Sequence, residues 1–278
     1  MHVSPATLYV VATPIGNLGD MTYRAVAVLG AVDRILCEDT RKTGTLCEHF
    51  ECRRPLVRFD ANVEHDRLDD ALAWLAAGEA LALVSDAGTP ALSDPGQRLV
   101  RAAWEAGYRV VPVPGASALT AAISASGLGA GGFTFGGFLP KASEARQKLF
   151  AALAPGVHAY FVPARDLAEV AGEMVGVQTI SEVAIARELT KIHETFYRGV
   201  PAEVAPRLAA NPESGLGEAV LVFEVTASAT DDAAIARALR SALATGASAR
   251  DAAHTVAEAL GIPRRRAYQL ALSLPKEA

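Results

Sequence analysis

Cysteine is scarce in this 278-residue chain, which carries Cys37, Cys47 and Cys52 and no others. An odd number without metal-type pairing excludes a disulfide framework and fits a reducing compartment. Long apolar runs are also missing, since no stretch reaches the roughly 18 residues that a membrane span needs. The opening residues lack the basic start and apolar core of a secretory signal, so the expected location is the cytoplasm, away from any membrane. Positive charge is in deficit, with 26 Lys and Arg against 31 Asp and Glu and a net charge of -5. That balance excludes attachment to nucleic acid by bulk electrostatics alone and leaves room for a local basic surface. There is no P-loop and no G-x-S-x-G elbow, and His193-Glu194 lacks the second His of a zinc helix, so no metal is expected.

What is present is material for burial, 51% hydrophobic against 21% charged residues, in a chain long enough for two moderate domains. From residue 8 to about residue 113, short apolar runs alternate with helical stretches, the rhythm of a parallel α/β sheet. Strands are predicted at 8–12, 34–37, 56–59, 80–85 and 109–113. Trp74 and Trp104 fall in helical segments and are expected in the core. A small-residue helix is predicted from the N-cap Ser117 to Gly127, followed by a glycine-rich connection over 127–137. A second alternating set has strands near 158–162, 182–187, 194–197 and 218–225. Its helices are predicted near 144–153, 167–175 and 201–208. Beyond Thr226 come Ala-rich helices at 231–244, 248–259 and 263–273, the last two spaced like a helix-turn-helix around Leu260-Gly261-Ile262. The expected division is 1–126, 127–228 and 229–278.

Three loops of very small residues follow predicted strands: Thr13-Pro14-Ile15-Gly16-Asn17, the stretch from Ser85 to Gly96, and Pro114-Gly115-Ala116-Ser117. At the carboxyl edge of a parallel sheet, bare backbone of this kind allows main-chain groups to approach a ligand. By contrast, Gly127-Leu128-Gly129-Ala130-Gly131-Gly132 matches G-x-G-x-x-G but follows a helix, so it is no dinucleotide fingerprint. Two charged clusters end predicted strands. Glu38-Asp39-Thr40-Arg41 reads as substrate positioning or as a dipole-satisfied helix start, and Arg187 to Glu194 as a polar binding site or as a strand-edge salt-bridge network. Arg264, Arg265 and Arg266 open the last helix, either as an RNA contact or as the solvated face of a helical cap.

Six ordered stretches together resemble the tetrapyrrole methylase superfamily, the class III S-adenosylmethionine-dependent methyltransferases. They are residues 12–20, 38–41, 85–96 and 113–118, Phe138-Leu139-Pro140-Lys141, and 187–194. Within that superfamily the chain is similar to the members that methylate ribosomal RNA of the small subunit. The resemblance implies two α/β domains with the cofactor cleft between them, plus a small C-terminal helical region, in a homodimer. It implies methylation of the ribose 2'-hydroxyl of cytidine 1402 in the decoding centre of 16S rRNA, with the small ribosomal subunit as partner. Ile15, Asp86, Ala87, Gly88, Thr89, Ser117 and Ala118 would contact S-adenosylmethionine, with Pro14 and Gly16 in the same loop as Ile15. Two stretches, 59–64 and 162–166, depart from the polar sequences common in the family.

A ribose hydroxyl is a weak nucleophile and gains from a general base. Glu38, Asp39, Glu188, Glu194 and Lys191 are the catalytic candidates. Arg41, Lys141 and Arg187 suit phosphate or ribose, by fork geometry or point charge. Two other functions compete: methylation of a tetrapyrrole or protein by the same fold, and non-catalytic binding of cofactor or RNA.

Overall fold

The computed structural model describes residues 2–226, 229–260 and 262–274. Strands β1 (Thr7–Val11), β2 (Arg34–Cys37), β3 (Leu56–Arg58), β4 (Leu81–Val84) and β5 (Arg109–Val113) form a parallel sheet in the order β3-β2-β4-β1-β5. Alternation along each strand feeds two cores. Tyr9, Val11, Ile35, Ala82 and Val84 meet helices α1 (Tyr23–Leu29) and α2 (Thr40–His49). Leu8, Leu36, Leu81 and Leu83 meet α3 (Glu64–Ala76) and α4 (Gln97–Glu105) on the other side. Burial on both faces explains why β4 reads as an unbroken apolar run. The chain moves one way from β1 to β3 and the other way through β4 to β5. The carboxyl ends of β1 and β4 therefore flank the reversal, where open α/β sheets bind ligands.

Trp104 departs from expectation, because it is 63% exposed. Leu99 and Ala103 occupy the sheet-facing line of α4, and the next residue turns about 100° away from it. Trp74 is half-buried at the edge of that core, with the Arg34 guanidinium 4.6 Å from its ring centroid.

Helix α5 (Ala118–Ser126) has the predicted caps, Ser117 accepting from the Thr120 N–H and Gly127 closing at φ +70°. The glycine-rich stretch after it is not only a connection, since β6 (Phe133–Phe138) runs through its second half. With β7 (Gly156–Pro163), β8 (Ile180–Arg187), β9 (Thr195–Gly199) and β10 (Glu218–Val225) it makes a second sheet, ordered β6-β7-β10-β8-β9. In that sheet β6 and β7 are parallel and the other pairs antiparallel. Tyr160, Val183, Ile185, Leu221 and Phe223 share a core with α6 (Ser143–Ala152), α7 (Leu167–Val175) and α8 (Pro201–Ala209). The opposite face carries Ala159, Ala184, Ala186, Val220 and Val222 and receives α5 together with Ile15. The first half of the chain thus plugs directly onto the second sheet.

Within the second half, the fully buried Arg146 ties three pieces together. It pairs with Glu173 at 2.6 Å and donates to the carbonyl of Lys141 at 2.6 Å. The segment leading out of β6 is thereby fixed to α6 and α7.

Helices α9 (Ala229–Ala244), α10 (Ala249–Leu260) and α11 (Arg264–Ser273) enclose their own small core, including Ile235, Leu239, Val256 and Ala267. The expected boundary at 228 and Gly261 of the predicted turn lie outside the described residues. Among the described residues no helix is long and apolar enough to cross a membrane. The three cysteines are buried and unpaired, and burial pushes the Cys37 and Cys47 thiols up to about 11.

Candidate active site

A cleft of about 590 Å³ opens between the two sheets, a size suited to a cofactor-sized ligand. One wall consists of the loops leaving the first sheet, with Ile15, Glu38, Asp86, Ala87, Gly88, Thr89, Ser117 and Ala118. Those loops hold one another in place. The Thr13 N–H donates to the Gly88 carbonyl at 2.9 Å, and the Gly88 N–H returns a bond to Thr13 at 3.1 Å. The Thr89 hydroxyl reaches the Ala116 carbonyl at 3.3 Å. Gly88 sits at φ +79°, and a Cβ there would stand 3.2 Å from Ile15, so a glycine at this point admits both the turn and its neighbour.

The other wall comes from the second sheet, through Phe138, Phe161, Arg165, Ala186, Glu188, Lys191 and the strand start at Gly217–Val220. Strain is concentrated around the cleft. Ala91 and Ser93 lie in the loop after β4, Glu188 and Thr190 in the loop after β8, and all four have positive φ without being glycine. Such conformations persist only where the surroundings enforce them, which is common at functional sites. The Glu188 carboxylate accepts from Lys191 at 2.8 Å and from the Glu218 N–H at 3.0 Å. A Cβ at Gly217 would stand 2.1 Å from that carboxylate.

Carboxylates dominate the electrostatics. Asp86 accepts from Lys42 at 2.8 Å and from the Asp39 N–H at 3.1 Å, while its own N–H donates to Glu38 at 3.1 Å. Glu38 is pushed up by burial first and then by the Asp86 charge, against the hydrogen bond from the Asp86 N–H. Asp94 is pushed up to about 6, by burial first and then by Glu38 and Asp86, against a bond from Ser85. Burial works on Glu188 in the same sense, but the bonds from Lys191 and the Glu218 N–H outweigh it and hold that carboxyl low.

Ten of the expected site residues therefore line one cleft: Ile15, Glu38, Asp86, Ala87, Gly88, Thr89, Ser117, Ala118, Glu188 and Lys191. The rest have other surroundings. Pro14 and Gly16 flank Ile15 outside the lining, and a Cβ at Gly16 would stand 2.5 Å from Lys191, so this glycine admits the loop of the second sheet. Asp39 caps α2 and pairs with the exposed Arg41 at 2.9 Å. Glu194 accepts the Thr190 N–H at 2.6 Å. The buried Arg187 donates to the carbonyls of Leu216 at 2.9 Å and His193 at 3.3 Å, and its Nε has no hydrogen-bond partner. Lys141 is exposed in the connection between β6 and α6, and Arg264, Arg265 and Arg266 are on the first turn of α11.

Lys42, Asp94, Phe138, Phe161 and Arg165 join the cleft without having been singled out as site residues. Asp94 lies inside the small-residue loop from Ser85 to Gly96 and Lys42 directly follows Glu38-Asp39-Thr40-Arg41, so both were within reach of the sequence signal. Nothing local to Phe161 distinguishes it from a core strand residue.

Residues 7–205 match the family profile of the tetrapyrrole (corrin/porphyrin) methylases. The chain belongs to that family. Residues 229–275 match a second profile, the RsmI C-terminal HTH domain. Over 277 residues this methylase is 43% identical to ribosomal RNA small subunit methyltransferase I of Synechocystis, covering 96% of this chain and 98% of that one. The protein of the same name from Escherichia coli O157:H7 is 39% identical, covering 97% and 96%. Among solved structures, diphthine synthase superposes with a TM-score of 0.57 at 14% identity, over 79% of this chain and 89% of that one. A cobalt precorrin-4 methyltransferase gives 0.56 at 16% identity, over 79% and 95%. At those identities the superpositions establish the fold of the tetrapyrrole methylases.

The cleft suits S-adenosylmethionine chemically. Apolar Ile15, Leu189 and Val220 provide contact for a flat base, and Glu38 and Asp94, which have no ion-pair partner among the described residues, complement a cation.

Proposed function

We propose that this protein is a methyltransferase that carries the methyl group of S-adenosylmethionine to the 2'-hydroxyl of cytidine 1402 in 16S rRNA. The observation that carries the reading is the single cleft shared by Ala87–Gly88–Thr89, Glu38 and Asp94 in a chain collinear with proteins named ribosomal RNA small subunit methyltransferase I. Bound cofactor supplies an already activated methyl group. The chain's own task is alignment and proton removal, and orientation alone is worth roughly 7–11 kcal/mol.

Among the cleft carboxylates, Asp86 and Glu188 are neutralised by Lys42 and Lys191. Glu38 and Asp94 have no ion-pair partner among the described residues, and both are held above their ordinary range. This pair accepts the hydroxyl proton, since a base poised closer to neutrality drives transfer better. Arg165, with its side chain 73% exposed on the cleft wall, and the exposed Lys141 and Arg41 contact the RNA backbone. Cofactor contacts fall to the backbone of residues 86–89 and to Ile15, Ser117 and Ala118. Helices α9, α10 and α11 grip the ribosomal surface through Arg264–Arg266. The protein acts in the cytoplasm as a homodimer, for whose subunit contact the almost fully exposed Tyr23 and Ile192 are candidates.

The test is transfer of radiolabelled methyl groups to small subunits lacking this modification, followed by mapping of sites resistant to alkaline cleavage. Resistance at cytidine 1402 is expected. Label on another nucleotide, on protein or nowhere would overturn the assignment.

A further inference from the structure

Phe138 is 64% exposed and stands on the cleft wall, at the end of a strand that should have turned it elsewhere. Phe135 of β6 lies opposite Ala159 of β7, but Phe138 lies opposite Phe161, so three steps on one strand match two on the other. The extra residue falls at Gly136-Gly137. Gly137 has φ +74°, and a Cβ at Gly136 would stand 2.0 Å from the Tyr160 ring. A bulge of this kind reverses the faces of every residue that follows it.

Without the bulge Phe138 would oppose Val162, whose side chain belongs to the core beneath α6, α7 and α8. With the bulge it joins Phe161, ring centroids 5.4 Å apart, and Phe161 in turn meets Phe135 edge-on at 5.0 Å. Tyr160 requires a glycine at 136 and the positive φ favours one at 137, but neither accounts for an open Phe ring on the cleft wall, where it buries little against the sheet. Their combined effect is an aromatic surface in the cleft, with Arg165 on the same wall and Lys141 three residues on. Aromatic faces beside cationic side chains are how single-stranded RNA bases are held.

We propose that Phe138, backed by Phe161, is the stacking platform for the pyrimidine base of the nucleotide being methylated, turned out of its RNA stack. The proposal rests on the ribose methylation argued above. A single glycosidic bond joins base to ribose, so clamping the base confines the 2'-hydroxyl to a short arc and helps to bring it to Glu38 and Asp94. The competing occupant is the adenine of the cofactor.

The test compares wild type, Phe138→Leu and Phe138→Trp on unmodified small subunits, and on subunits reconstituted with an abasic ribose at the target. Cofactor affinity is measured alongside by calorimetry. Phe138→Leu is expected to lower kcat/KM roughly 5- to 150-fold, the span that corresponds to about 1–3 kcal/mol of stacking. Phe138→Trp should stay near wild type, and cofactor affinity should be unchanged in both. Wild type should lose a similar factor on the abasic target, and the Leu variant should lose little more there. If the Leu variant distinguishes base from abasic as strongly as wild type does, the platform is refuted. A fall in cofactor affinity that matches the fall in kcat/KM would give the ring to adenine and equally overturn it. Absence of methylation by wild type would instead bring down the underlying reaction, and the platform with it.

Discussion

The Asp86 carboxylate ties Lys42 and the start of α2 to the loop after β4, while its backbone N–H holds Glu38. Asp86→Ala should therefore weaken S-adenosylmethionine binding at least about tenfold by calorimetry, the order of a lost charge-assisted contact. Arg41→Ala, on the outer side of the same helix start, should leave that affinity intact and lower RNA methylation. Asp94 has a pH signature. Its folded-state pKa is raised to about 6, above the unfolded value of about 3.9. Between those values the folded protein holds a proton that the unfolded chain has lost, so stability falls as pH rises across that window. Asp94→Asn removes the buried charge, and its melting temperature should exceed wild type at pH 8 and match it at pH 4. The wild-type rate should climb through about pH 6, and the Asn variant should lack that limb. Residues such as Asp86, Ala87 and Gly88 were legible in the sequence because a bare loop after a strand has few uses. Phe138 opens one of the six family-like stretches but, like Phe161, was not a site candidate, because a Phe near a strand end looks the same whether it is core or cleft.

At the scale of elements, the parallel sheet was readable because each of its strands is an apolar run closed by turn residues. β2, β5 and β10 have the predicted bounds. β6 was invisible for the reason that gives it interest: Gly136-Gly137 breaks the alternation from which a strand is inferred. Trp104 misled because its helix is amphipathic but rotated so that Leu99 and Ala103 face inward. The segment carrying Phe138 depends on Arg146, whose side chain is 2% exposed against Glu173. Arg146→Ala strands a buried carboxylate and two carbonyls. It should cost about 3–5 kcal/mol and lower the melting temperature by about 5 °C or more, read by calorimetry.

At the scale of the whole molecule, three parts divide the work. The first sheet presents the small-residue loops, and the second brings aromatic and charged groups against them. Helices α9, α10 and α11 enclose a core of their own. That separateness predicts that a chain ending at residue 228 keeps a cooperative melting transition and cofactor affinity within about threefold of full length. Methylation of small subunits should fall at least about tenfold, because the Arg264-Arg265-Arg266 face goes with the deleted helices. Unchanged turnover would assign those helices another role. The net charge of -5 makes the same point, since only a local basic surface lets such a chain hold RNA.

The central claim is that the two sheets jointly hold S-adenosylmethionine with its reactive centre turned toward Glu38 and Asp94. A crystal structure with S-adenosylhomocysteine tests this most directly. The account predicts the ligand against the backbone of Ala87, Gly88 and Thr89, with its sulfur facing those carboxylates. Ligand bound outside the cleft, or with its sulfur directed away from Glu38 and Asp94, would contradict it.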